Sequence, residues 1–195
     1  MKKIAIFASG SGTNAENIAK FFSDSSIAEV CALLTNNPKA GALGRMERLG
    51  VPAFTFTNRE FADGTAILAK LSEFDVDLIV LAGFMNMISA PLLAAFPQRI
   101  VNIHPALLPL YGGKGMYGQH VHEAVVAHHE TETGITIHYI NERYDEGEII
   151  FQARCPVLPD DTPDEVAAKV HLLEYRYYPE VIEKVLLSLP PRLDS

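Results

Sequence analysis

The chain is short of several things, and each shortage narrows the reading. Its 195 residues include two cysteines, Cys31 and Cys155, too few for a disulfide framework. Both sit in apolar, strand-like runs, where buried free thiols in a reducing compartment are the default. Basic charge is scarce: 16 Lys and Arg against 24 Asp and Glu give a net charge of −8, which argues against non-specific nucleic-acid binding because that needs a basic footprint. An acidic balance still admits anionic ligands, since backbone N–H groups bind phosphate locally. No apolar run approaches the ~20 residues of a membrane-spanning helix. Met1-Lys2-Lys3 leads into an apolar run that stops at Ser9-Gly10, too short for a secretory signal. The glycine-rich stretch at 9–14 also misses two familiar patterns. Ala15 breaks the dinucleotide fingerprint GxGxxG, and no Lys-Ser/Thr follows the second glycine as a Walker loop requires. The expected setting is cytoplasmic, with no nucleic-acid or membrane partner.

What remains is an ordinary globular composition, 48% hydrophobic and 21% charged, long enough for one domain with a sizeable core. That domain is expected over 1–195, with a loose tail from about residue 190. Strands are expected at Ile4–Ala8, Val30–Leu34, Pro52–Phe56 and Leu78–Ala82. Helices are expected at Asn14–Phe22, Ala42–Leu49 and over much of Glu60–Ser72. Alternating strands and helices predict an α/β fold: a doubly wound, mostly parallel sheet with helices on both faces. The second half differs. Ile135–Ile140 and Glu148–Val157 are strand candidates that could pair as an antiparallel edge. Thr162-Pro163-Asp164-Glu165 opens a long amphipathic helix, with Thr as cap, Pro at the first position and Glu three after the cap. Pro179 is where that helix could bend.

Three stretches could carry chemistry. Asn102-Ile103-His104-Pro105 follows the apolar run Arg99-Ile100-Val101. In extended backbone Asn102 and His104 point to one face, and Pro105 biases His104 toward that backbone. An amide donor beside an imidazole at a strand end suits acyl or formyl transfer, in which negative charge grows on a carbonyl oxygen. Ser9-Gly10-Ser11-Gly12-Thr13-Asn14 lies between strand and helix, where glycines and free helical N–H groups could hold a phosphate. The alternative is a plain turn with Thr13 or Asn14 capping the helix. Tyr144-Asp145-Glu146-Gly147 could be only a turn. If its carboxylate meets His104, it would orient the ring and favour the charged form. His120, His122, His128 and His129 lack carboxylate or cysteine partners at ligand spacing, so a solvated helix face is expected there, not a metal. His138 is expected to be a packed histidine, with support of the reacting groups from behind as the alternative, and Glu174 either a solvated flank or a ligand contact.

Taken together, strand-GSGTN, LAGFM (81–85), NIHPALLP (102–109) and YDEG (144–147) resemble the glycinamide ribonucleotide formyltransferases of the folate-dependent formyltransferase family. The resemblance runs from Ile4 to about Pro179. It implies a Rossmann-like formyltransferase fold, 10-formyltetrahydrofolate as cosubstrate, glycinamide ribonucleotide as acceptor, no metal, and a monomer or weak homodimer. By the same resemblance Gly12, Thr13 and Asn14 would hold the substrate phosphate, with His171 and Glu174 contacting the ribonucleotide. Asn102 and His104 would bind the formyl oxygen, and Asp145 would hold His104 and order a water for proton transfer. Met85, Asn86, Met87, Ile88, Asn102, Asn141, Glu142, Arg143, Tyr144 and Asp145 would form the folate pocket. The chain departs from the pattern at Asn86, where the family often has Arg, at Ala106 in place of Ser, and at the glycine-rich segment Gly112–Gly118, to which no role transfers. Rival readings are a formyltransferase acting on initiator methionyl-tRNA, disfavoured by the acidic charge and short chain, a formate-releasing hydrolase, and a non-catalytic phosphate- or folate-binding regulator.

Overall fold

The computed structural model describes residues 1–190; the tail at 191–195, expected to be loose, lies outside them. Among the described residues seven strands make one sheet. Five run parallel: β1 (Lys2–Phe7), β2 (Ala28–Thr35), β3 (Ala53–Thr55), β4 (Leu78–Leu81) and β5 (Ile100–His104). Two more, β6 (Glu132–Tyr139) and β7 (Ile149–Pro156), add antiparallel beyond β5. The order is β3-β2-β1-β4-β5-β6-β7, the doubly wound, mostly parallel sheet with an antiparallel edge that the sequence predicts.

Strand residues alternate between two cores. Ile4, Ile6, Leu78 and Val80 face one layer, built with α1 (Thr13–Phe22), α2 (Gly41–Arg48), α6 (Gln119–Ala127) and α7 (Pro163–Ser188). Ala5, Phe7, Ile79 and Leu81 face the other, built with α3 (Asn58–Asp63), α4 (Thr65–Glu73) and α5 (Ala90–Ala95). Continuous apolar runs in β1 and β4 are what a strand covered on both faces needs.

One expectation changes and one element is added. The single helix over 60–72 is two, because Gly64 takes φ 79° between α3 and α4; a Cβ there would sit 2.9 Å from Pro91 Cβ. The six-residue α5 was not foreseen, being too short to show a helical period. In α7 the Thr162–Glu165 capping box forms and the helix runs on through Pro179, both as expected. Proline removes the N–H that would bond the carbonyl four residues back. That carbonyl, on Tyr175, instead accepts Asn17 Nδ2 of α1 at 2.8 Å. Pro179 thereby becomes a joint between α1 and α7.

The chain reverses its winding between β1 and β4, so the loops leaving these strands diverge. Ligands of open α/β sheets bind in the crevice this creates.

Candidate active site

A cavity of about 600 Å³ opens at that crevice, lined from the loops after β1, β4, β5 and β6 and from α6 and α7. Its first wall is the loop at 9–14. The carbonyls of Gly10 and Ser11 accept Ala42 N at 3.3 Å and Arg45 Nε at 2.9 Å, which turns them toward α2. Gly12 takes φ 76°, and a Cβ there would lie 2.4 Å from Ala42 Cα. Gly12 itself is the N-cap of α1, without a side-chain cap. The alternative of a Thr13 or Asn14 cap is therefore corrected: both lie in the first helical turn, where backbone N–H groups have no intrahelical partner. Behind them Glu174, only 5% exposed, accepts Asn14 Nδ2 at 2.8 Å and His171 Nδ1 at 2.9 Å. The Glu174 carboxylate holds the His171 imidazole above its usual range. His122, expected on a solvated face, is 2% exposed; burial, followed by the charge at His171, pushes it below the usual histidine range. Asn14 Oδ1 and His122 Nδ1 are out of solvent and have no hydrogen-bond partner.

The second wall is the loop after β4. Phe84 seats it in an aromatic cluster, 5.5 Å from Phe7 and 5.2 Å from Phe61 between ring centroids. Met85 N donates to Ser9 Oγ at 3.2 Å, tying this loop to the first. Met85, Asn86, Met87 and Ile88 line the cavity, facing Ile140, Asn141, Arg143 and Tyr144. Asn86 is held by two amides: its Nδ2 donates to Asn58 Oδ1 at 3.0 Å, and its Oδ1 accepts Asn36 Nδ2 at 3.4 Å. Glu142 is not among the lining residues, and its side chain is exposed.

Between the walls lie Asn102, His104 and Asp145, all lining the same cavity. His104 Nδ1 is 3.6 Å from Asp145 Oδ2. That separation makes them an ion pair when the ring is charged, beyond hydrogen-bond length. What grips the ring is a contact that carries no side-chain signature in the sequence: His104 Nε2 lies 2.7 Å from the Tyr111 carbonyl. A carbonyl only accepts, so Nε2 carries the hydrogen and Nδ1 is left for Asp145 and the cavity. Tyr111 adopts φ 55°, and its hydroxyl reaches Glu130 Oε1 at 2.7 Å and His128 Nδ1 at 2.9 Å. Burial, then Glu130, push that phenol up to about 12. Asp145 Oδ2 also accepts Gly113 N at 2.9 Å. Thr136 fixes the loop after β5 by donating to the Ala106 carbonyl at 2.7 Å and accepting Leu108 N at 2.9 Å.

An amide, an imidazole with one free nitrogen and a carboxylate surround one space, opposite a glycine turn and a helix start. The family model described as formyl transferase matches residues 2–182. The chain belongs to the formyl transferase family. Among relatives, it is 41% identical over 187 residues to phosphoribosylglycinamide formyltransferase, chloroplastic, of Arabidopsis thaliana, covering 93% of this chain but 64% of that protein, just under two thirds of its length. It is 36% identical to phosphoribosylglycinamide formyltransferase of Bacillus subtilis, covering 95% of both chains. The solved structure of glycinamide ribonucleotide transformylase 1 from Symbiobacterium toebii superposes with a TM-score of 0.88 at 34% identity, over 96% of this chain and 88% of that one. In this member of the formyl transferase family neither thiol lines the cavity: both are free, Cys31 buried as expected and Cys155, also expected to be buried, only partly so. Among the described residues no helix is long and apolar enough to cross a membrane.

Proposed function

We propose that the chain transfers a formyl group from 10-formyltetrahydrofolate to the primary amine of glycinamide ribonucleotide, a step of purine synthesis. The observation that carries this reading is the convergence of Asn102, His104 and Asp145 on one cavity. The names of the relatives support the acceptor, and the slot between Met85–Ile88 and Ile140–Tyr144 suits a flat heterocycle.

The substrate phosphate rests on the N–H groups of Gly12, Thr13 and Asn14, where the start of α1 adds its positive dipole end. Glu174 and His171 meet the ribonucleotide; the unpaired Asn14 Oδ1 is an acceptor for a ligand hydroxyl. The folate lies against Met85, Asn86, Met87, Ile88, Asn141, Arg143 and Tyr144. The amine attacks the formyl carbon, a C–N bond forms, and the carbonyl oxygen becomes an oxyanion. Asn102 donates to it through Nδ2, and protonated His104 through Nδ1, the nitrogen Tyr111 leaves free. The bond from carbon to the folate nitrogen then breaks. The amine has lost one proton and the leaving nitrogen gains one, carried by a water ordered at Asp145. No covalent intermediate on the protein is involved. Burial raises the Cys31 thiol to about 11, which suppresses the thiolate a nucleophile needs. The unpaired thiols support a reducing, cytoplasmic setting, and the proposed reacting groups all come from one chain, which supports a monomer or weak homodimer.

A spectrophotometric assay of folate deformylation tests the assignment. The signal is expected to depend on added glycinamide ribonucleotide, and absence of that dependence overturns the acceptor. In the same assay His104→Ala is expected to lower turnover about 100- to 1000-fold, the usual cost of one oxyanion donor. Full activity would leave His104 a structural residue and favour the non-catalytic binding reading.

A further inference from the structure

We propose that His138 is a positioning residue: its neutral ring, protonated on Nδ1, decides which end of the Asn102 amide serves the reaction. The inference rests on the reading of Asn102 as an oxyanion donor.

An asparagine amide has two ends of nearly equal size and opposite hydrogen-bonding character. Only the nitrogen end stabilises a growing negative charge; the oxygen end repels it. Something in the protein must choose. His138 sits on β6 directly opposite Asn102 in the strand register and is 0% exposed. Its Nδ1 lies 2.9 Å from the Tyr139 carbonyl. Because a carbonyl only accepts, Nδ1 carries the hydrogen. In a neutral ring Nε2 is then bare, and it lies 3.2 Å from Asn102 Nδ2. A bare nitrogen can only accept, so the amide nitrogen must face it; Oδ1 there would set lone pair against lone pair. One N–H of Asn102 is thereby taken, and the other stays available for a substrate carbonyl.

The surroundings keep the ring neutral. Burial is the largest influence and pushes His138 below the usual histidine range, and His104 on β5 acts in the same direction. Opposing them are the Tyr139 carbonyl and Asp145, whose Oδ1 is 3.7 Å from Nε2. That distance is too long to supply a competing hydrogen bond. A charged ring would point an N–H at the Asn102 N–H and turn the amide over. The Tyr139 carbonyl that sets the tautomer is itself confined, since a Cβ on Gly147 would come within 1.7 Å of it.

The test has two arms on the full chain. In a ¹⁵N-labelled sample at pH 7, a long-range ¹H–¹⁵N spectrum is expected to show His138, identified by loss of its signals in His138→Gln, with protonated Nδ1 and unprotonated Nε2. A ring carrying a hydrogen on Nε2 overturns the proposal. In the transfer assay, His138→Leu removes the acceptor and is expected to lower kcat tenfold or more, about half the logarithmic cost of losing an oxyanion donor outright, with little change in either KM. His138→Gln, which offers a carbonyl oxygen to the Asn102 N–H, is expected to recover part of that loss. Wild-type kcat in His138→Leu overturns the proposal; if that variant does not fold, the spectrum decides. Failure of wild-type protein to transfer formyl groups would overturn the underlying reading instead, and is told apart because the spectrum needs no turnover.

Discussion

Two glycine-rich loops border the same cavity, one at 9–14 and one at 111–118, and they are held in opposite ways. The first is braced from behind: Ala42 and Arg45 take its carbonyls, and Ser9 is tied to Asn36, Asn37 and Gly83. None of those braces is a proposed reacting group. The second leans on the reacting groups themselves. Tyr111 gives its carbonyl to His104, and Gly113 gives its N–H to Asp145. At Gly112 a Cβ would meet Leu108 Cδ2 at 2.5 Å and Asp145 Cβ at 3.3 Å. Turnover and loop stability are therefore separable in the first loop, whereas in the second the hydrogen bonds that order the loop are those that aim the imidazole and carboxylate.

Substitutions at Asp145 put the largest strain on this contrast. Asp145→Asn keeps an acceptor for Gly113 N and tolerates the observed φ of 56°, because Asn is among the residues that adopt left-handed backbone. It is expected to lower kcat about 100-fold by removing the charge, with amide exchange at Gly113 unchanged. Asp145→Ala is expected to lose as much activity and also to speed that exchange. Equal exchange in both variants would mean that the loop does not lean on the carboxylate.

Next in size is Gly12→Ala. Its Cβ collides with Ala42 and its φ of 76° disfavours a side chain, so a loss of about 1–3 kcal/mol is expected. That lowers Tm by roughly 2–4 °C per kcal/mol in a chain of this size. KM for the ribonucleotide should rise while kcat, measured at saturation below the melting range, changes little. A kcat loss as large as the KM change would dissolve the distinction between the loops.

The smallest effect concerns His171. Glu174 raises its pKa in the folded chain, against about 6.5 unfolded. The pair's contribution to stability is thus fully present below that unfolded value and is lost as pH rises through the folded one. The Tm difference between wild type and His171→Gln is expected to be small, because the imidazole is half-exposed, and to shrink between pH 6 and pH 9. A difference that grows with pH would refute the assignment.

Much of this was legible in the sequence where local rules apply. The two-residue spacing put Asn102 and His104 on one face, and the Thr162–Glu165 box started α7 where it starts. Legibility failed where a partner distant in sequence decides. His122 looks like a residue of a solvated helix, and only the packing of α6 on α7 buries it. Glu142 sits between lining residues, yet the turn carries it off the wall. Tyr111 acts on His104 through a carbonyl, which every residue has, so no residue type announces it. Thr136 and His138 lie in an alternating strand whose register against β5, not its composition, brings them to the site.

The crowding at Gly147 reaches further than one tautomer. Tyr139 N also bonds the Glu148 carbonyl at 2.9 Å, so residues 140–147 form a hoop pinned shut at its neck. A hoop of fixed circumference admits neither an inserted nor a deleted residue without dragging the carboxylate at its crown away from the imidazole. Anyone reshaping this cavity for a different acceptor has to leave that circumference alone and place new length in other loops.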